Sequence, residues 1–311
     1  MTTSTPEAEL SERPLESVEH EARDAPAPLL LDGRAVAKEM REQYAREAAA
    51  LKARFGLLPG LGVLRVGADP ASVSYTGRIS KAFAEAGIAV TINELPITAS
   101  RAMLRAELGR LNVLPEIAGI IVQMPLPAHI GLDALVDVLD PDKDVDGLHP
   151  VNVGNLSLGL DAYVPATPAG GLALLDYYGI TLEGLNALVV GRSGVVGKPL
   201  AQLLLARNAT VTIAHSRTRD LEGLISGADL VATAIGKPGF VRGDCIKPGA
   251  VVLDFGASIV EGHMIGDVNF EEAAARASAI TPVPGGTGPM TNAMLLRNTL
   301  NAIKRYFGVT S

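Results

Sequence analysis

"ALVVGRSGVVGKP", residues 187–199, decides the fold. A β-branched apolar run stops at Gly191, glycines recur at 194 and 197, and a helical pattern opens around Pro199. Strand, glycine turn and helix start, in that order, present free N–H groups and the positive end of a helix dipole, which suit a phosphate. The spacing departs from G-x-G-x-x-G, so by itself the stretch serves equally as a packing turn. The next strand-like run, "ATVTIAH" (209–215), leads into Ser216 and Arg217 with no acid. An NAD site usually carries a carboxylate there for the ribose hydroxyls, whereas a 2′-phosphate takes cations and hydroxyls. Arg192 and Ser193 already stand on the first loop, so NADP is favoured over NAD. The alternative is that Arg192 and Arg217 are solvated surface charges.

Outward from this unit, strand-like and helix-like segments alternate. Downstream lie the strand-like "ADLVATAIG" and "GAVVLDFG"; upstream, "PAGGLALLDYYG" reads as a helix closed by Gly179. A separate series begins earlier with the strand "LGVLRVG" (61–67) and the helix "PASVSYTGRISKAFAEAG" (70–87), with Pro70 at its start and Gly87 as its cap. The strand "IAVTINEL", the helix "SRAMLRAELGRLN" and the strand "IAGIIVQ" (117–123) follow. Such alternation predicts mainly parallel sheets covered on both faces, hence an α/β protein. Two α/β lobes with a boundary near residues 150–168 account for the pattern. A last helix, "MTNAMLLRNTLNAIKRYFG" (290–308), follows a Pro/Gly-rich stretch.

Bulk properties narrow the function classes. The 311 residues carry a net charge of −7, which argues against a nucleic-acid surface. The one cysteine, Cys245, rules out an internal disulfide framework and suits a reducing, cytoplasmic setting. No apolar run is long enough to span a bilayer. Residues 1–27, rich in Glu, Pro and Ser, read as a disordered tail rather than a targeting segment. The acid-rich loop "DPDKDVDGLHP" (140–150) lacks the ligand spacing of a calcium loop, and no metal site is expected.

Candidate substrate residues lie where ligands of open α/β sheets collect, at strand carboxyl ends. Gln123 ends a buried strand before a Pro-x-Pro turn, placed either to bond a heteroaromatic ring or to tie down that turn. "TPVPGGTGPMT" (281–291) holds too much Pro and Gly for an element interior and reads as a rigid loop close to a ligand. His215 is either a base or a structural strand-end histidine.

Together, the ordered segments "VGADPASVSY", "KAFAEAGI", "GIIVQMPLP", "DKDVDGLHPVNVGNL", "PATPAGG", "VVGRSGVVGKP", "ATVTIAHSRT", "IGDVNF" and "TPVPGGTGPMTNAML" resemble the bifunctional methylenetetrahydrofolate dehydrogenase/cyclohydrolases. They cover nearly everything from residue 60 to 299. The resemblance implies two α/β domains flanking a cleft: a folate-binding catalytic lobe of residues 28–167 plus 290–311, and a Rossmann-type NADP-binding lobe of residues 168–289. It implies a tetrahydrofolate derivative as substrate and a homodimer formed through the NADP-binding lobes. By the family's pattern Tyr75 stacks on the folate, Gln123 and Asp146 hold its pterin side, and Pro284 lines the cleft; the first three are the candidate catalytic residues. Gly191, Arg192, Ser193, Val195 and Ser216 would hold NADP, with Ile235, Gly288 and Thr291 near the nicotinamide end.

One position departs from that pattern. The family segment reads Tyr, three residues, a catalytic Lys, one residue, a second Lys, then Ala; here Tyr75 is followed at those places by Ile79, Lys81 and Ala82. Two residues along a helix turn a side chain by about 200°, so Lys81 is expected to point away from the ligand. Arg78 stays protonated and is a poor proton shuttle. Oxidation of the methylene group moves a hydride and asks no proton of the protein, whereas hydrolysis of the methenyl ring needs a proton relay. The expectation is a dehydrogenase with weak or lost cyclohydrolase activity. Other roles fit the same residues: a fully bifunctional enzyme with a substitute acid/base, a transferase handing the carbon to another acceptor, or a non-catalytic binder.

Overall fold

The structure is a computed structural model that describes residues 27–309; the expected tail, apart from Ala27, lies outside the described residues. The chain opens with β1 (Leu29–Leu30) and α1 (Gly33–Phe55), the helix started by Asp32, whose carboxylate accepts the Arg34 N–H. Then come β2 (Gly60–Val66), α2 (Pro70–Glu85), β3 (Val90–Leu95), α3 (Arg101–Val113) and β4 (Ile117–Val122). These strands form a parallel sheet in the order β3-β2-β4. β2 and β4 are buried along their whole length; β4 is an unbroken apolar run, and β2 is apolar but for Arg65, which pairs with Glu94.

Short helices α4 (Asp133–Val136) and α5 (Pro150–Ser157) lead to α6 (Ala166–Tyr177). The second lobe runs β5 (Asn186–Val190), α7 (Gly197–Leu205), β6 (Thr210–Ala214), α8 (Leu221–Gly227), β7 (Leu230–Thr233) and β8 (Val251–Asp254). A hairpin, β9 (Ser258–Val260) with β10 (His263–Ile265), precedes α9 (Phe270–Ala274), β11 (Ala279–Ile280) and α10 (Thr287–Tyr306). The large sheet is parallel in the order β1-β11-β8-β7-β5-β6. β6 and β7 flank β5, so the connections leaving the two sides of β5 diverge and open a crevice at its carboxyl end.

One feature of the architecture escaped the sequence reading. Leu29–Leu30, grouped with the first lobe, pair with β11 and add an edge to the second lobe's sheet. α10 packs against α6, α1, β4 and α2, and so closes the first lobe's core. Buried Asn298 pins it there: its side-chain amide donates to the Val145 carbonyl at 2.9 Å and the Val164 carbonyl at 2.8 Å. Gln123, just past the carboxyl end of β4, faces the gap between the lobes.

Candidate active site

That gap is a cleft of about 760 Å³ lined by both lobes. One wall is α2. Asp69 caps it, accepting from the Ser72 N–H at 2.9 Å, and Pro70 occupies its first turn. Ile79, Phe83 and Ala86 face inward to the core, while Tyr75, Arg78, Lys81, Ala82 and Glu85 line the cleft. Ile79 is 0 % exposed and belongs to the core that also holds Leu61 and Met294. It supplies no atom to the cleft lining.

Lys81 therefore corrects an expectation: it lines the cleft rather than pointing away. The helix arc that meets the gap is centred near Arg78, between Tyr75 and Ala82, and Lys81 stands at the edge of that arc, where its long stem reaches the lining. It is exposed at the rim. Arg78 sits over the Tyr75 ring at 5.7 Å, its guanidinium donating to the Ser74 hydroxyl at 2.9 Å. Burial, with the negative field of Asp146, pushes the Tyr75 hydroxyl well above its usual range, and Arg78 opposes that shift.

The floor comes from β4 and the loop after it. Gln123 is buried at 7 % exposure, its N–H donating to the Leu64 carbonyl at 2.8 Å, and it lines the cleft. Asp146 is on the same lining. The acid-rich loop that carries Asp146 is fixed from within: buried Asp144 accepts from the His149 N–H at 2.7 Å and the Asn152 amide at 2.9 Å. Among the described residues no group of His, Cys, Asp or Glu is arranged to hold a metal, consistent with that structural use of the acids. Burial, then the charge of Asp144, pushes the Asp146 carboxyl from 3.8 up to about 7.

The opposite wall is the Pro/Gly loop before α10. Pro284 lines the cleft, and its carbonyl accepts from Arg34 at 3.1 Å. Gly285 has φ 125°, and a Cβ there would lie 2.9 Å from the Arg34 guanidinium carbon, so glycine lets α1 and the loop meet. Val195, Gly288 and Thr291 line the same cleft. Gly191, Arg192, Ser193, Ser216 and Ile235 lie outside its lining, on the loops at the carboxyl ends of β5, β6 and β7.

Those loops fit a dinucleotide phosphate. Gly191 has φ 133°, and a Cβ on it would lie 2.5 Å from the Ala234 carbonyl oxygen. A Cβ on Gly197 would lie 2.2 Å from the Gly191 carbonyl oxygen, so α7 starts hard against the turn. Ser193 has a local task as well, its hydroxyl accepting from the Val196 and Gly197 N–H groups at 3.2 and 3.3 Å. Arg192, Ser216 and Arg217 are exposed side by side, because β5 and β6 are in register at Val190 and Ala214. His215 takes the structural option: its ring Nδ1 accepts from the Arg217 N–H at 3.1 Å. Ile235 donates its N–H to Asp267 at 2.7 Å.

Sequence reasoning missed several contributors. Asp267, fully buried, also accepts from the Gly236 and Lys237 N–H groups, while Asp254 accepts from the Gly256, Asp267 and Val268 N–H groups. This pair fixes the loop after β7. Arg34 and Arg41 of α1 line the cleft, as does Asn292, whose buried side-chain oxygen has no partner among the described residues. The sole hint was a pair of arginines seven residues apart; nothing local ties them to a loop 250 residues on.

Comparison with known proteins agrees with this geometry. Residues 31–146 match the family profile described as the tetrahydrofolate dehydrogenase/cyclohydrolase catalytic domain, and residues 165–307 match the NAD(P)-binding domain of the same family. The bifunctional protein FolD of Herpetosiphon aurantiacus is 55% identical over 275 residues, covering 88% of this chain and 96% of that protein. The crystal structure of the bifunctional enzyme FolD, methylenetetrahydrofolate dehydrogenase/cyclohydrolase, from Campylobacter jejuni superposes with a TM-score of 0.87 at 42% identity, covering 90% of this chain and 99% of that one. The Trypanosoma brucei FolD structure, complexed with NADP cofactor and inhibitor, gives the same TM-score of 0.87 at 40% identity, with coverage of 90% and 99%. The chain belongs to the tetrahydrofolate dehydrogenase/cyclohydrolase family, with an NAD(P)-binding domain as its second lobe.

Proposed function

We propose that this chain oxidises 5,10-methylenetetrahydrofolate to 5,10-methenyltetrahydrofolate, and that its cyclohydrolase activity is weak or lost. NADP, when bound, supplies the acceptor for the hydride. The bridging C–H bond breaks with its electron pair, and the adjacent substrate nitrogen's lone pair forms the new C=N bond, so no side chain need carry a proton. What this chain contributes is position: Tyr75 as a stacking face, Gln123 and Asp146 as polar contacts for the pterin, and Pro284 as the opposing wall. Arg192, Ser216 and Arg217, with no acid among them, favour the 2′-phosphate, and the bound NADP of the trypanosomal relative supports that choice. The division into a folate lobe (28–167 plus 290–311) and an NADP lobe (168–289) belongs to the same reading. So does a homodimer through the NADP lobes, for which the exposed apolar hairpin residue Ile259, 66 % accessible, is a contact candidate. No helix among the described residues is long and apolar enough to cross a membrane, and the cytoplasmic setting rests on the lone cysteine.

The observation that carries the split between the two activities is Ile79, wholly buried where the resembled pattern has its lysine. Ring opening adds water to the methenyl carbon, removes a proton from it and delivers one to the departing nitrogen. An aliphatic side chain relays neither, and the loss of a general acid/base typically lowers the rate by ~10²–10⁴. The cleft lining by Lys81 favours one rival reading, full bifunctionality through a displaced amine. Mixing purified 5,10-methenyltetrahydrofolate with the protein decides between them. Decay at the buffer rate supports the proposal. Fast decay that disappears in Lys81→Met supports the rival.

A further inference from the structure

We propose that a second cavity, behind the nucleotide loop, binds a small apolar molecule bearing one anionic group, with Lys198 as that group's partner. The cavity holds about 400 Å³ and is walled by both lobes: Leu135 and Val136 of α4, Val153 and Leu156 of α5, Lys198 and Gln202 of α7. Met124, Pro165 and Val195 line this cavity and the interlobe cleft alike, so the two spaces share a wall. Tyr75, Gln123, Asp146 and Pro284 line the cleft alone, which sets the cavity apart from the place of hydride transfer.

The lining sets the class of ligand. Leu132 and Val153 stay 54 % and 49 % exposed on it, apolar surface that an apolar occupant would cover. Small-molecule sites are typically ~300–1,000 Å³, mostly apolar, with a few polar groups that fix orientation. His149 spends both ring nitrogens internally, Nδ1 accepting from the Val151 N–H at 3.1 Å and Nε2 donating to the Val136 carbonyl at 2.9 Å. Lys198 is exposed and, among the described residues, enters no ion pair, whereas Lys247 and Lys304 do. It stands in the first turn of α7, at the positive end of the helix dipole. No Asp or Glu lines the cavity, so no carboxylate on its walls opposes an anion.

Gly194 and Val195 of the nucleotide loop also line the cavity. In the NADP reading the start of α7 serves the dinucleotide phosphates, and a second anion at Lys198 repels them. Occupant and NADP⁺ should therefore weaken each other by one factor, about 3-fold for unit charges ~10 Å apart near water. This coupling rests on the NADP reading, whereas the ligand class rests on the cavity alone.

The test titrates the full chain with two fluorescent probes of one shape, anilinonaphthalene sulfonate and its uncharged parent, phenylnaphthylamine. Val153→Trp and Leu132→Trp fill the cavity from exposed positions that do not line the cleft. Each should weaken both probes by about 10-fold and leave the melting temperature and dehydrogenase kcat as in the parent. Lys198→Met should weaken the sulfonate about 5-fold and leave the uncharged probe unchanged. Saturating NADP⁺ should raise the sulfonate's dissociation constant about 3-fold, to a plateau, without moving the uncharged probe. Probes that ignore both tryptophan variants, or that NADP⁺ displaces completely, overturn the site, as does an equal effect of Lys198→Met on the two probes. A sulfonate affinity indifferent to bound NADP⁺ overturns the coupling. If NADP⁺ does not bind, it is the NADP reading that fails, and the three variants still decide the cavity.

Discussion

At Asp146 a single carboxyl links environment to function. Its pKa, pushed from 3.8 to about 7 by burial and by Asp144, means that across that interval the native state holds a proton that the unfolded chain has released. Stability therefore declines as pH rises through the window and levels off above about 7. Asp146→Asn removes the titration, so its melting temperature should gain on the parent's between about pH 5 and about pH 8. A gap that stays constant with pH contradicts the assignment. If the carboxylate form accepts from the pterin N–H groups, kcat/KM for the folate should rise through about pH 7 in the parent and stay flat in Asp146→Asn. Ile79 makes the complementary case. Ile79→Ala should lose about 2–5 kcal/mol of stability, read from urea unfolding, through the cavity it leaves in the core, while hydride transfer persists. Ile79→Lys should restore hydrolysis of the methenyl compound, since a lysine there would be partly desolvated and its pKa lowered, and it should also lower the melting temperature.

Elements show how far local rules reach. Pro70 and Gly87 bounded α2 in the sequence, and the structure keeps Pro70 in the first turn and Gly87 at positive φ of 72°, and adds Asp69 as the cap. The strand-turn-helix at 187–199 was legible for the same reason: its glycines answer to contacts a few residues away, such as Gly197 against Gly191. What an element faces was less legible. Lys81 was assigned to the wrong side because helical phase gives angles within α2 but not where the gap lies. Asp267 and Arg34 escaped notice because their partners, Ile235 to Lys237 and Pro284, come from distant segments. At the nucleotide loops, Arg192→Ala and Arg217→Ala should each raise KM for NADP⁺ by roughly 10-fold or more and that for NAD⁺ by less than about 3-fold. Equal losses with both cofactors would mean that the arginines only support the loop.

The whole molecule assigns its work by lobe. One lobe brings Tyr75, Gln123 and Asp146 to the cleft, the other brings Val195 and the dinucleotide loops, and Asn298 ties α10 to the first lobe through the Val145 and Val164 carbonyls. Hydride transfer across such a cleft needs two partners held in register, which this arrangement supplies without a titrating side chain at position 79. The most direct test is one progress curve with methylenetetrahydrofolate and NADP⁺, following reduced cofactor and the methenyl chromophore together. The methenyl compound is expected to accumulate mole for mole with reduced cofactor and then to decay only at its spontaneous rate. Reduced cofactor rising while the methenyl signal stays at a low steady state would contradict it.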